Sequence, residues 1–146
     1  GNALVGLMGN DPEEALYYNI FFDQTGEALH GGRAYRVRFN AEDLPQTGAL
    51  GFWSLTMYDA QRFQFIDNQI NRYAIGSRDA LRRNDDGSID IYVQPAPPEG
   101  DMGSNWLPSP ATGDFKMTIR VYMPTPAMVD AYRNFTLHVP PVEPVN

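Results

Sequence analysis

A chain of 146 residues suits one domain, and at that length folding buries roughly 70% of the unfolded surface, enough for a core without covalent staples. Apolar residues at 42% and charged residues at 20% exclude a disordered tail, and the lack of cysteine excludes disulfides, thiolate nucleophiles and zinc–cysteine sites. A net charge of −7 argues against a nucleic-acid partner, whose phosphates select a basic surface.

Residues 1–10 form a Gly-rich N-terminal segment. Asn10-Asp11-Pro12-Glu13-Glu14 then predicts a short helix: Asn10 or Asp11 can cap, Pro12 suits the first helical position, and the acids suit the positive end. Leu16–Phe22 is rich in strand formers. Tyr17, Tyr18, Phe21 and Phe22 cannot all face one core by strand parity, so some of them are expected against another domain, a sister subunit or the N-terminal segment. Gln24-Thr25-Gly26-Glu27 reads as a turn.

Alternation with a period of two follows. Tyr35, Val37 and Phe39 alternate with Arg36 and Arg38; Trp53, Leu55 and Met57 with Ser54 and Thr56; Ile89, Ile91 and Val93 with Asp90 and Tyr92. Phe115, Met117, Ile119, Val121 and Met123 alternate with Lys116, Thr118, Arg120 and Tyr122. Successive side chains of a strand point to opposite faces, so each segment predicts a strand with one face in the core. Asp86-Gly87 predicts a tight turn of a hairpin, and the prolines at 95, 97 and 98 predict a loop. Ala127–Arg133 has room for one or two helical turns. Residues 140–146 predict an extended Pro-rich tail lying over the surface. No stretch has the length and apolarity of a membrane-spanning helix.

Short strands separated by Gly/Pro turns predict an all-β fold, an antiparallel β-sandwich of jelly-roll type with one or two short helices near the termini, as a single domain over 1–146. The missing βαβ order excludes a doubly wound sheet. Gly1 is not an initiator Met and no leader pattern follows it, so the expectation is a processed or excised piece of a longer protein. The compartment stays open; a soluble chain, periplasmic or secreted after processing, is compatible with this reading.

Five motifs occur in order: Phe52-Trp53-Ser54-Leu55-Thr56-Met57-Tyr58-Asp59, Asn71-Arg72-Tyr73, Asp86-Gly87-Ser88, Asn105-Trp106-Leu107-Pro108 and Arg120-Val121-Tyr122-Met123-Pro124. In this set, from about Asp11 to Pro126, the chain resembles the bacterial domain of unknown function 1214. The resemblance implies a jelly-roll-like sandwich that usually follows a companion domain of unknown function, 1254; the pair is similar in layout to the two sandwiches of peptide-N-glycosidases. It implies no catalytic residues. The family's usual Asp-Gly-x-Trp near the end is replaced here by Asp130-Ala131-Tyr132-Arg133.

Chemistry is less well marked than fold. His30 and His138 are the only histidines and lie far apart in sequence, so a metal site would need both brought together with carboxylates. Asn84–Asp90 lacks the later bidentate Glu of a calcium loop and reads as a turn. Ser54 stands mid-strand, outside a Gly-x-Ser-x-Gly elbow. No pair of carboxylates is singled out for glycoside hydrolysis.

The suggestive feature is a set of arginines and aromatics on polar strand faces and in loops: Arg36, Arg38, Tyr58, Asn71, Arg72, Tyr73, Asn105, Trp106, Arg120 and Tyr122. If such strands are neighbours, their shared face binds carboxylates or sugars by bidentate bonds, stacking and cation–π contact. Against this stand cross-strand Arg–Asp pairing on a solvated face and Trp106 as a plug of the fold. The reading is a binding or accessory module for a saccharide or acidic small molecule, without cofactor, metal, nucleic acid or membrane span. A glycan- or amide-directed hydrolase and an assembly domain packing on a companion domain or second copy are the alternatives.

Overall fold

The computed structural model describes the backbone of Ala3–Val5 and all atoms of residues 13–145. Its strands are β1 (Ala3–Val5), β2 (Ala15–Ile20), β3 (Ala34–Phe39), β4 (Thr47–Asp59), β5 (Ala74–Gly76), β6 (Ile89–Gln94), β7 (Trp106–Pro108), β8 (Phe115–Pro124) and β9 (Val142–Val145). One helix, α1 (Pro126–Arg133), follows β8. The strands form two sheets, of order β1-β2-β8-β4-β5 and β7-β6-β3-β9.

The two-residue rhythm places the core. Tyr35, Val37 and Phe39 of β3 and Ile89, Ile91 and Val93 of β6 are buried, and meet Leu55, Met57, Met117, Ile119 and Val121 of the other sheet in one apolar cluster. Rings cross between the sheets, Tyr35 edge-on to Phe115 at 5.8 Å and Phe39 against Trp53 at 4.9 Å. Burying side chains such as Leu55 or Ile119 contributes about 1.5–3 kcal/mol each. At the centre of the five-stranded sheet β8 pairs with β2 on one side and β4 on the other, in register Leu55↔Ile119 and Tyr18↔Ile119. Backbone N–H and C=O groups of β8 are therefore committed to ladders along most of its length.

The alternation stops at Met123, which is 50% exposed with φ +52. The register of β4 against β8 shifts between Thr47 and Phe52, and the resulting bulge turns the end of the long strand outward. The extended tail and the segment around Trp106, expected among the loops, each contribute a short strand. The tail pairs with β3 as β9, burying Val142; its Pro144 is tolerated because β9 is a sheet edge. Trp106–Pro108 runs parallel to β6, departing from a purely antiparallel pattern, and again puts its proline on an edge. Asp86-Gly87 does make a tight turn, with Gly87 at φ +87. The segment before it is irregular rather than a strand, so the turn leads into β6 without closing a hairpin.

Of the helix expected at Asn10–Glu14, residues 10–12 lie outside the described residues, while Glu13 and Glu14 form a turn leading into β2. The helix expected within Ala127–Arg133 is present as α1. Thr125 caps it, accepting from Met128 N at 3.4 Å, and Pro126 opens the first turn. Among the described residues no helix is long and apolar enough to cross a membrane.

Candidate functional site

Strand parity decides where each candidate residue goes. In β8 the side chains opposite the core are Lys116, Thr118, Arg120 and Tyr122. Their partners across β4 are Tyr58, Thr56, Ser54 and Phe52, and across β2 Asn19 and Tyr17 lie beside Thr118 and Arg120. This row forms the outer face of the five-stranded sheet. The irregular segment between β4 and β5 adds Phe63 and Phe65 beside it, 56% and 57% exposed.

Arg120 sits at the middle of the face. Its guanidinium donates to the hydroxyl of Tyr58 and, at 3.2 Å, to Thr56 Oγ1. It lies 5.6 Å from the ring centre of Tyr17 and 5.5 Å from that of Tyr58. Two clefts meet at it. One, of about 420 Å³, is bounded by Phe52, Thr56, Phe65, Tyr73, Arg78 and Tyr122. The other, of about 470 Å³, is bounded by Tyr17, Asn19, Phe21, Tyr58, Phe63 and Lys116.

Aromatic rings line this ground in stacks. Phe65 lies flat between Tyr58 at 5.3 Å and Tyr73 at 5.2 Å, and Phe52 stacks on Tyr122 at 4.5 Å. Lys116 Nζ lies 4.3 Å from the centre of Phe63 and 5.2 Å from that of Tyr58. Burial, helped by the charge of Arg120, holds the Lys116 ammonium below the ordinary lysine range. The Tyr122 hydroxyl is pushed up by burial and by its hydrogen bond with Tyr17.

The remaining candidates are elsewhere. Arg36 and Arg38 occupy the outer face of the other sheet, and each is matched by a carboxylate. Arg36 meets Glu143 at 2.5 Å; Arg38 makes two bonds to Asp90, at 2.8 and 2.9 Å. The arginines and tyrosines of the polar faces therefore form two separate surfaces, because β3 and β8 belong to different sheets.

Arg72, Asn105 and Trp106 act as stitches. Arg72 donates to the carbonyls of Gly103 and Trp106, at 3.0 and 2.9 Å. Asn105, 1% exposed, accepts from Arg82 N and donates to the carbonyls of Arg82 and Asp90. Trp106 is 4% exposed and its indole N–H donates to Gln94 O. Asn71 is exposed in the loop before β5, with φ +51. Three of the five family motifs thus stitch one end of the fold: Asn71-Arg72-Tyr73 and Asn105–Pro108 through Arg72, and Asp86-Gly87-Ser88 through the Asn84 bonds to Ser88 and Asp90.

Tyr17, Asn19, Phe63 and Phe65 are members of the face that sequence reasoning missed as site residues, while Lys116 stands beside Arg120 as the alternation of their strand predicts. For Tyr17 and Asn19 the signal was their alternation with the apolar Leu16, Tyr18 and Ile20. For Phe63 and Phe65 it was two phenylalanines in an otherwise polar segment.

The histidines are not gathered: His30 bonds Asp114 at 2.5 Å, and His138 lies 3.3 Å from Asp43. Among the described residues no group of three or more His, Cys, Asp or Glu is placed to hold a metal ion. Among the described residues the one acidic residue lining the clefts at Arg120 is Asp79, whose Oδ2 accepts from Gly76 N at 2.8 Å.

The family described as protein of unknown function (DUF1214) matches residues 14–126. The chain belongs to that family. The VPA0106 protein from Vibrio parahaemolyticus, known from a crystal structure, is similar to it, with a TM-score of 0.80 and 28% identity over 97% of this chain. An uncharacterized protein from Burkholderia cenocepacia is similar at a TM-score of 0.48 and 14% identity, again over 97% of this chain. The chain spans about a third of the length of these two structures, 33% and 31%. No curated protein matches it.

Proposed function

We infer that this DUF1214 chain is a β-sandwich of jelly-roll type acting as a binding or accessory module, with the outer face of its five-stranded sheet as the ligand surface. The ligand class is a polar small molecule, either a saccharide or an acidic metabolite. The observation that carries this reading is the setting of Arg120. The other guanidiniums on strand faces, Arg36 and Arg38, are matched by carboxylates. Among the described residues Arg120 has only neutral hydroxyls as hydrogen-bond partners, flanking tyrosine rings, and a cleft on either side. A guanidinium so placed keeps its capacity for bidentate bonding to an incoming carboxylate or vicinal diol.

A hydrolase needs carboxylates poised in a cleft with one of them held protonated near neutral pH. Among the described residues the clefts at Arg120 are lined by a single carboxylate, Asp79, which already accepts from Gly76 N. This favours binding over glycan or amide hydrolysis.

Contact with a companion domain or a second copy is the second reading. It is favoured by Leu50, 84% exposed, and Met123, 50% exposed, two apolar side chains at the bulged end of β4 and β8.

Calorimetric titration with a panel of saccharides and small carboxylic acids tests the first reading. Saturable binding that disappears in Arg120→Ala and persists in Arg36→Ala is expected. Binding that is lost in Arg36→Ala and kept in Arg120→Ala contradicts it.

A further inference from the structure

The geometry points to an acidic oligosaccharide, a chain of sugar rings bearing carboxylates, as the occupant of the face around Arg120; this rests on that face being the ligand surface. Two cations, Lys116 and Arg120, stand on one face of one strand in a chain of net charge −7. Neither is in an ion pair with a carboxylate among the described residues. Each instead meets neutral oxygens: Asn19 Oδ1 for Lys116, and Thr56 and Tyr58 for Arg120. Three residues lie between them, so their Cα positions stand roughly 13 Å apart at ~3.3 Å per residue. Both charged groups nonetheless converge on the Tyr58 ring, 5.2 and 5.5 Å from its centre. A ring held beside Tyr58 can meet one cation with its own carboxylate and leave the other cation for the carboxylate of the next ring in a short oligomer.

The surface between and beside the cations suits sugar better than phosphate. A phosphate site is built from convergent backbone N–H groups, whereas those of β8 are engaged with β2 and β4. What the face offers is flat rings and side-chain hydrogen-bonding groups. Phe65 stacks between Tyr58 and Tyr73 and holds their rings, whose outer faces are left for the C–H faces of pyranose rings. Asn19 accepts from Thr118 at 2.7 Å and from Lys116 at 3.3 Å through its Oδ1, which leaves its amide NH₂ for a hydroxyl. Nucleic acid shares the taste for rings and cations, but its regular phosphates need a basic stripe that two cations in an acidic chain do not make. At the far end of the first cleft Arg78 adds a further guanidinium, lying over the Phe52 ring.

The test is calorimetry with α-1,4-linked oligogalacturonates of one to four rings, beside uncharged malto-oligosaccharides of the same lengths. The acidic series is expected to bind, with affinity rising at least about tenfold from monomer to trimer, and to weaken as salt is raised. Lys116→Met should flatten the dependence on length while leaving the monomer within about twofold, and Lys116→Arg should restore it. Arg120→Met should abolish binding of every length.

Equal binding of the uncharged series, or no gain with length, overturns the acidic-oligomer assignment and leaves the ligand face standing. So does Arg120-dependent binding of a small acid with no oligogalacturonate bound. A chain that binds nothing in either series or in the broader panel, yet self-associates through this face so that Arg120→Met dissociates it in sedimentation, overturns both.

Discussion

Arg38 and Asp90 face each other across β3 and β6 as register partners, joined by two hydrogen bonds of 2.8 and 2.9 Å. Asp90 is 5% exposed, and its second oxygen also accepts from Asn84. The bonds from Arg38 hold its carboxyl below the ordinary range, against burial, which pushes it up. The pair therefore serves stability on a face other than the ligand face. Asp90→Asn should cost about 2 kcal/mol in urea unfolding, the range for a hydrogen bond to a charged group. It should leave ligand affinity unchanged.

The same pair sets a pH dependence. A carboxyl held low in the folded state and ordinary in the unfolded chain adds stability above the unfolded pKa of about 3.9, and that stability is lost as pH falls through the folded value. Denaturant midpoints measured downward from pH 5 should fall more steeply for the natural chain than for Asp90→Asn. Parallel curves would show that Asp90 is not the group responsible.

Gly76 closes one wall of the cleft between β4 and β5. A Cβ there would lie 2.1 Å from Trp53 O and 2.8 Å from Ser54 Cα, both backbone atoms with little freedom to give way. Gly76→Ala should push β5 off β4 and destabilise the chain by about 1–3 kcal/mol, the range for forced overpacking. Because Ala74, Ile75 and Gly76 line the cleft, ligand affinity should fall with it. Unchanged stability by thermal melt would contradict the described pairing.

Phe65 separates the two roles that aromatic residues play here. Interior rings such as Tyr35 and Phe115 hold the sheets together, while Phe65 is 57% exposed and stacked between Tyr58 and Tyr73. Phe65→Ala should change unfolding free energy by less than about 1 kcal/mol. It should weaken ligand binding by about tenfold, near 1.4 kcal/mol. A large stability loss with unaltered affinity would make the stack a structural element instead.

The core was legible because burial has a period of two. Leu55, Ile91 and Ile119 are each 0% exposed, where alternation put them. Trp106–Pro108 reads locally as a loop, and the tail as extended without a sheet partner, because pairing at a sheet edge, which accepts proline, depends on neighbours far away in sequence. Which polar faces share a sheet was not legible. Arg38 and Arg120 look alike in their strands, and only the strand order reveals that one faces Asp90 and the other a pair of clefts. Phe63 and Phe65 were hidden for a related reason: their segment has no periodicity, and tertiary packing alone brings it beside Tyr58.

The ligand face is tested most directly by NMR shift mapping during titration with the saccharide and acid panel. Perturbations confined to Tyr17, Asn19, Thr56, Tyr58, Lys116 and Arg120 and their neighbours are predicted, with Arg36, Arg38 and Asp90 silent. Perturbations centred on Arg36 and Arg38, or none with any ligand, would contradict the assignment of the five-stranded sheet's outer face as the binding surface.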